Sequence, residues 1–375
     1  MITIDASIKK SISSDDKYIS KLPGAKELIH PLLNPEKYYK QVTTDPYFRA
    51  LIYLRHQIRA VSDAYFSKQI GAKNVDLFLM TSSISSPTGP GSDSEPIPLT
   101  FGGLNTYLVD SSQFGFEPIL VGGISRAYCY LASMRGEDPD KRHLNQFYHC
   151  EYEAQEKFED TRKVAEQYVK ILIKLVQLMP NTIDRMATLP EKTRQIIEES
   201  LSIKNFPVVT FDEAVKILKQ NNKAGLLRNT PHGDDITAAG EIELLKILKV
   251  KTPVWVKYYP RNRVPFYQKP IEGNKSRVLN ADLLCPNLLE SSFGGEILGM
   301  GQRQNLPEEI YESMRLQNID LKNYEWYIDL RRMPKYKITS GFGVGIERFI
   351  SWILGLDDIS KAIVYPRMKG IPLNP

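Results

Sequence analysis

The residues of this chain best suited to handling a phosphate lie near its end. In SGFGVGIERF, residues 340–349, three alternating glycines precede Glu347 and Arg348. Glycine lets a backbone approach a ligand closely, and an arginine presents a planar fork of donors that fits a phosphate. The pattern reads as a glycine-rich turn entering an apolar helix that runs through Trp352 and Leu354. The string just upstream, WYIDLRR at 326–332, reads as a strand, because Trp326, Tyr327 and Ile328 are aromatic or β-branched. The glycine spacing is not the G-x-G-x-x-G of a dinucleotide fingerprint. Taken alone, G-x-G before an arginine is also what an ordinary helix start with one surface arginine looks like.

The elements that must position such residues are legible in part. LIYLRHQIRAVSDAYF, 51–66, has apolar residues at helical spacing and leads to VDLFLM, read as a strand. Residues 82–98, SSISSPTGPGSDSEPIP, form a turn-rich loop, either a surface connector or a flap over a substrate. TYLVD, EPILVG and YCYLA read as strands, and 159–179 as an amphipathic helix. Thr210 and Glu213 make a capping box ahead of AVKILK, and AGEIELLKILKV is a further helix. Strands follow at VWVKYY, VLNADLL and EILGM. Runs of strands with helices between and around them predict an α+β fold, a mainly antiparallel sheet flanked by helices.

Composition narrows the class. The chain has 375 residues, 42% hydrophobic and 25% charged, as in an ordinary globular protein. No apolar run approaches a membrane span, and the N-terminus lacks an apolar signal region. Three cysteines, Cys129, Cys150 and Cys285, show no metal-type spacing. Reduced thiols and a cytoplasmic location are the simplest expectation. A charge of +5, from 49 basic and 44 acidic residues, permits nucleic-acid binding without arguing for it.

Several strings, in order, resemble one family. SGFGVGIERF preceded by WYIDLRR is similar to the third signature motif of class II aminoacyl-tRNA synthetases, in the asparaginyl/aspartyl branch. MRGED at 134–138 and RHLNQFYHCEYE at 142–153 resemble the second motif. PVWVKYYP, ADLLCP and GGEILGMGQR resemble the segments between, and IVYPRMKGIPLNP the C-terminal end. The resemblance runs from about Leu51 to Pro375. It implies a class II catalytic domain over 51–375, preceded by an extension over 1–50 too short and proline-broken for the family's anticodon-binding barrel. The helix and strand of 51–80 correspond to the first motif, which implies a homodimer, although that motif's usual proline is missing at Met80, Thr81 and Ser82.

The resemblance also implies roles. Arg135 binds the amino-acid carboxylate and the α-phosphate of ATP; Arg142 and His143 meet the outer phosphates; Phe147 stacks under adenine; and Arg348 clamps the γ-phosphate. Glu296, with Asp282, holds Mg²⁺, a hard ion that wants carboxylate oxygens. Glu290, inside the inserted NLLESSF, reads as a solvated loop charge. Gln113 is a contact for the amino acid. Phe116 stands where aspartate-specific relatives carry a lysine, and Gln146 where the relatives have glutamate. Arg303 and Glu137 together form a donor and acceptor pair suited to an amide such as that of asparagine. The implied chemistry is ATP-dependent formation of an aminoacyl adenylate. The expected acceptor is a small nitrogen nucleophile, as in an asparagine synthetase-related ligase. The alternatives are a tRNA or tRNA-like acceptor, and a non-catalytic regulator that binds an amino acid or nucleotide.

Overall fold

The computed structural model describes residues 3–24, 34–86, 94–230 and 233–374. The chain begins with helix α1 (Ala6–Ile19), a short α2 (Tyr38–Thr44) and the long α3 (Pro46–Ala64). Asp45 caps α3 by accepting from the Tyr47 amide at 2.9 Å, and Pro46 fills the first helical position, where no N–H is needed. The boundary expected at residue 50 therefore falls inside a helix. α1 packs on α3, and its Ile12 and Ile19 are buried in the same core as the rest. Asp16 on α1 accepts from the amides of Asn181 and Thr182 at 3.1 and 2.9 Å, tying the N-terminal segment to helix α6 (Pro180–Met186).

After short strands β1 (Lys73–Asn74) and β2 (Met80–Thr81) come β3 (Pro98–Phe101), β4 (Leu104–Leu108), α4 (Gln113–Val121), β5 (Arg126–Met134) and β6 (Gln146–Ala154). A helical section follows: α5 (Phe158–Gln177), α6 and α7 (Pro190–Ser202), then β7 (Val208–Thr210) and α8 (Phe211–Gln220). The Thr210–Glu213 capping box is formed in both directions. The hairpin β8 (Leu227–Thr230) and β9 (Gly233–Ile236) leads to α9 (Ala238–Ile247). Strands β10 (Val254–Lys257), β11 (Pro270–Ile271), β12 (Asn274–Val278), β13 (Asn280–Cys285) and β14 (Gly295–Gln302) precede α10 (Pro307–Leu316), α11 (Glu325–Arg332), β15 (Ser340–Gly345) and α12 (Ile346–Ile353).

The main sheet has eight strands in the order β1-β5-β6-β15-β14-β13-β10-β7, antiparallel except where β1 meets β5 and β7 meets β10. This is the expected α+β architecture. Side chains alternate across a strand, so the register sorts the sheet into two faces. Cys150, Tyr152 and Ala154 of β6, Phe342 and Val344 of β15, and Ala281, Leu283 and Cys285 of β13 face the apolar core with α3, α5 and α12. The opposite face carries the polar residues described below. No helix among the described residues is long and apolar enough to cross a membrane.

Four local expectations are corrected. WYIDLRR is helix α11, not a strand: Tyr327, Ile328 and Arg331 are buried while Glu325, Trp326, Asp329 and Arg332 are exposed, a helical period. EPILVG lies in helix α4 and its turn rather than in a strand, because packing of Phe116, Glu117 and Leu120 outweighs β propensity. VDLFLM forms no continuous strand; only Met80 enters β2. Finally, Gly341, Gly343 and Gly345 are not a turn. They lie within β15, none with positive φ.

Candidate active site

A cavity of about 540 Å³ opens on the polar face of the sheet, and a smaller one of about 80 Å³ continues it over Phe147. The floor is glycine. Gly301 and Gly341 are direct cross-strand partners, as are Gly299 and Gly343. A Cβ on Gly341 would lie 1.9 Å from Glu153 Oε2, and one on Gly301 1.7 Å from Gln268 Oε1. These glycines serve close approach by neighbouring side chains rather than chain reversal.

On β6, Phe147, His149, Glu151 and Glu153 share one face and run along the floor, with Glu153 opposite Gly341, Glu151 opposite Gly343 and His149 opposite Gly345. At about 3.4 Å per residue the row is roughly 20 Å long. The cationic end is at Phe147. The Arg135 guanidinium lies 5.3 Å from the Phe147 ring centre, and its Nε is buried without a hydrogen-bond partner. Arg348, at the start of α12, donates to Glu296 at 3.0 Å. Arg142 donates to the Gly294 carbonyl and sits 5.0 Å over Phe293, so the inserted NLLESSF supplies the ring that carries it. His143 Nδ1 is 2.9 Å from Asp140 Oδ1, and burial followed by the Arg348 charge lowers its pKa. Burial, then Arg135 and Arg348, push His149 down to about 3, leaving a neutral ring. Glu290 is an exposed loop charge paired with Lys246 at 2.8 Å.

Asp282 and Glu296 converge beside this end. Their Oδ1 and Oε1 lie 3.4 and 3.3 Å from the point where a Cβ on Gly299 would stand. Burial, then Glu296 and Glu241, raise the Asp282 pKa well above the carboxylate range. Burial and Glu296 lift Glu241 of α9 to about 7, with Arg142 working against them. Like charges held this close favour a cation. Two carboxylates, with phosphates and waters as the other ligands, suit Mg²⁺. Among the described residues no group of three or more His, Cys, Asp or Glu is placed to hold a metal unaided.

The other end carries Gln113, Phe116, Glu153, Gln268 and Arg303. Gln113 Nε2 is buried and unpartnered. Phe116 is buried against Leu120, Ala127 and Cys129, so no cation stands there. Arg303 and Glu137, expected to flank a substrate amide as donor and acceptor, both line the cavity and make no bond to each other. Arg303 instead grips Glu153 with two bonds, 2.9 and 2.7 Å, and both are buried. Glu137 lies at the cavity rim and accepts from the Glu95 amide at 3.2 Å. Loop geometry decides this: Glu137 follows β5, whereas Glu153 is on the sheet beside Arg303. Glu151 is a further site carboxylate, accepting from Ser111 Oγ and, at 2.9 Å, from the Ser112 amide. The sequence held a signal for Glu151 and Glu153, since His149, Glu151 and Glu153 alternate with the core residues Tyr148, Cys150 and Tyr152. Gln268 and Glu241 carried none. Residues 87–93 of the 82–98 loop lie outside the described residues; its described ends attach to Asp110 and to Gly136, beside Arg135.

An antiparallel sheet with a cationic end, a carboxylate pair and a glycine floor defines a class II synthetase catalytic fold. The model of tRNA synthetases class II (D, K and N) matches residues 37–369. The chain belongs to that family. It is 32% identical over 268 residues to asparagine–tRNA ligase of Pyrococcus horikoshii, covering 70% of this chain and 56% of that protein. To the Herpetosiphon aurantiacus asparagine–tRNA ligase it is 29% identical over 333 residues, covering 85% and 69%. The chain thus spans little more than half the length of the first of these relatives. The crystal structure of P. horikoshii asparaginyl-tRNA synthetase complexed with asparaginyl-adenylate superposes with a TM-score of 0.78 at 26% identity, over 92% of this chain and 74% of that one.

Proposed function

We propose that the chain activates asparagine with ATP, forming asparaginyl-adenylate and pyrophosphate, and passes the acyl group to a tRNA 3′ end. The observation that carries this is the pair of adjoining cavities, with Arg135, Arg142, His143 and Arg348 at one end and Gln113, Gln268 and the mutually paired Arg303 and Glu153 at the other. Two anions must meet for a carboxylate to attack the α-phosphate, and preorganised cations offset their repulsion. In this proposal Arg135 bridges carboxylate and α-phosphate, Arg348 and Arg142 hold the outer phosphates, Phe147 supports adenine, and Gln113 and Glu151 orient the amino acid. Asp282 and Glu296 would hold Mg²⁺, which when bound neutralises phosphate charge. The relatives named above are all tRNA ligases, which favours a tRNA acceptor over the small nitrogen nucleophile expected from sequence. A second copy of the chain is the proposed partner, covering the exposed Phe78, Leu79, Met80, Phe101 and Leu104. ATP–pyrophosphate exchange across the amino acids tests activation. Charging of bulk tRNA with labelled asparagine, against ammonia as competitor, tests the acceptor. Exchange without charging, together with amide formation from ammonia, would return the small-nucleophile assignment.

A further inference from the structure

Gln268 stands out among the residues at the amino-acid end. It is buried, and its Oε1 has no hydrogen-bond partner although it lines the cavity. A ligand that closes this cavity to water must supply a partner for that acceptor, or the unpaired oxygen costs on the order of 1–3 kcal/mol. The backbone that carries the side chain is held on two sides. The Gln268 amide donates to the Pro265 carbonyl at 3.0 Å, and the backbone bridges Arg303 on the neighbouring segment. Its head group lies over Gly301, which has no Cβ to displace it.

Next to it, over the partner glycine Gly341, is Glu153. The Arg303 charge is matched by Glu153 in a two-bond pair, so this end presents little net charge. An incoming carboxylate would meet the Glu153 carboxylate, with the nearby arginine already engaged. A neutral group carrying an N–H meets an unpaired acceptor.

We propose that Gln268 determines side-chain specificity: its Oε1 accepts a hydrogen bond from the N–H of a primary amide on the substrate. The inference rests on the adenylation reading above only for which ligand occupies the cavity. It adds Gln268 to Arg303 and Glu137, which line the same cavity, as a residue that reads the amide.

The test uses the full chain and isothermal titration with L-asparagine, L-aspartate and L-aspartate β-methyl ester, which keeps the carbonyl and lacks the N–H. The wild type is expected to bind asparagine about tenfold or more tighter than the ester, the value of one hydrogen bond at a buried site. Gln268→Met, close in volume, should bring the two ligands within twofold while ATP affinity is retained. Equal wild-type affinity for asparagine and ester overturns the assignment without any variant. So does a Gln268→Met protein that loses both ligands equally, which would mark a structural role, or one that keeps the wild-type ratio. The two proposals fail separately. A preference for asparagine in binding, with no pyrophosphate exchange, sinks adenylation and leaves Gln268 assigned. Exchange that treats asparagine and the ester alike does the reverse.

Discussion

Arg135 and Arg348 approach the cavity from opposite directions, one after β5 and the other at the start of α12. Arg348 is tied to Glu296 at 3.0 Å, and the Arg135 guanidinium rests beside the Phe147 ring. Replacing either by alanine should lower pyrophosphate-exchange turnover by roughly 100-fold or more; a loss under tenfold would remove that residue from the phosphate site. Glu241 allows a prediction with a definite sign. Its folded pKa is raised to about 7, above the ordinary glutamate value of 4.5. The folded state therefore holds the proton more tightly, and the stability this contributes is full below about 4.5 and lost as pH rises through 7. Glu241→Gln keeps the hydrogen-bonding shape without the charge. It should gain on the wild type by on the order of 2–3 kcal/mol in urea unfolding at pH 8 relative to pH 5. No pH-dependent difference would mean that Arg142 cancels the burial cost.

Helix α11 fixes the amino-acid end at the scale of elements. Arg331, fully buried, is 2.7 Å from Glu117 of α4 and donates to the Gln304 carbonyl at 3.0 Å, one residue beyond Arg303. Tyr327 donates to the same Glu117 carboxylate and lies with its ring 3.7 Å from the Arg331 guanidinium. The pair therefore joins the helix bearing Gln113 and Phe116 to the strand end bearing Arg303. Arg331→Ala leaves the Glu117 charge buried without its cation, with only the Tyr327 hydroxyl as partner, which should cost about 3–5 kcal/mol in denaturant melts. Arg331→Met with Glu117→Met should recover most of that stability, since no charge is then stranded. If the double variant is as unstable as the single, packing rather than charge explains the loss.

At the scale of the molecule, the three-stranded sheet β2-β4-β3 and the segment before it leave large apolar side chains in solvent. Leu104 is 71% exposed and Phe101 63%. Apolar groups gathered in this way mark an association surface. Sedimentation should find a dimer for the wild type, and Leu79→Lys with Leu104→Lys should shift it to monomer with an unchanged circular dichroism spectrum. A wild type that is monomeric at micromolar concentration would reject the surface as a dimer contact. The 50/51 boundary also belongs to this scale. A polar, proline-broken stretch suggested a separate extension, yet its apolar residues are spaced to bury one face of α1 against α3, and only the packed structure shows what covers that face.

The sequence alone determined the antiparallel α+β class, the long helices and the Thr210 capping box. Those depend on local periodicity, capping and contiguous strings. Tertiary structure decided three things that local pattern cannot reach. WYIDLRR is a helix because its buried positions repeat every three to four residues, a signal that aromatic propensity obscured. The glycines of 341–345 are extended because β15 pairs along its length with β6 and β14, and Glu153 occupies the space that a Cβ on Gly341 would need. Arg303 faces Glu153 rather than Glu137 because β6 and β14 both flank β15, whereas Glu137 sits on a loop beyond β5. Which carboxylate meets which arginine is set by register across the sheet, and a one-dimensional pattern does not contain that register.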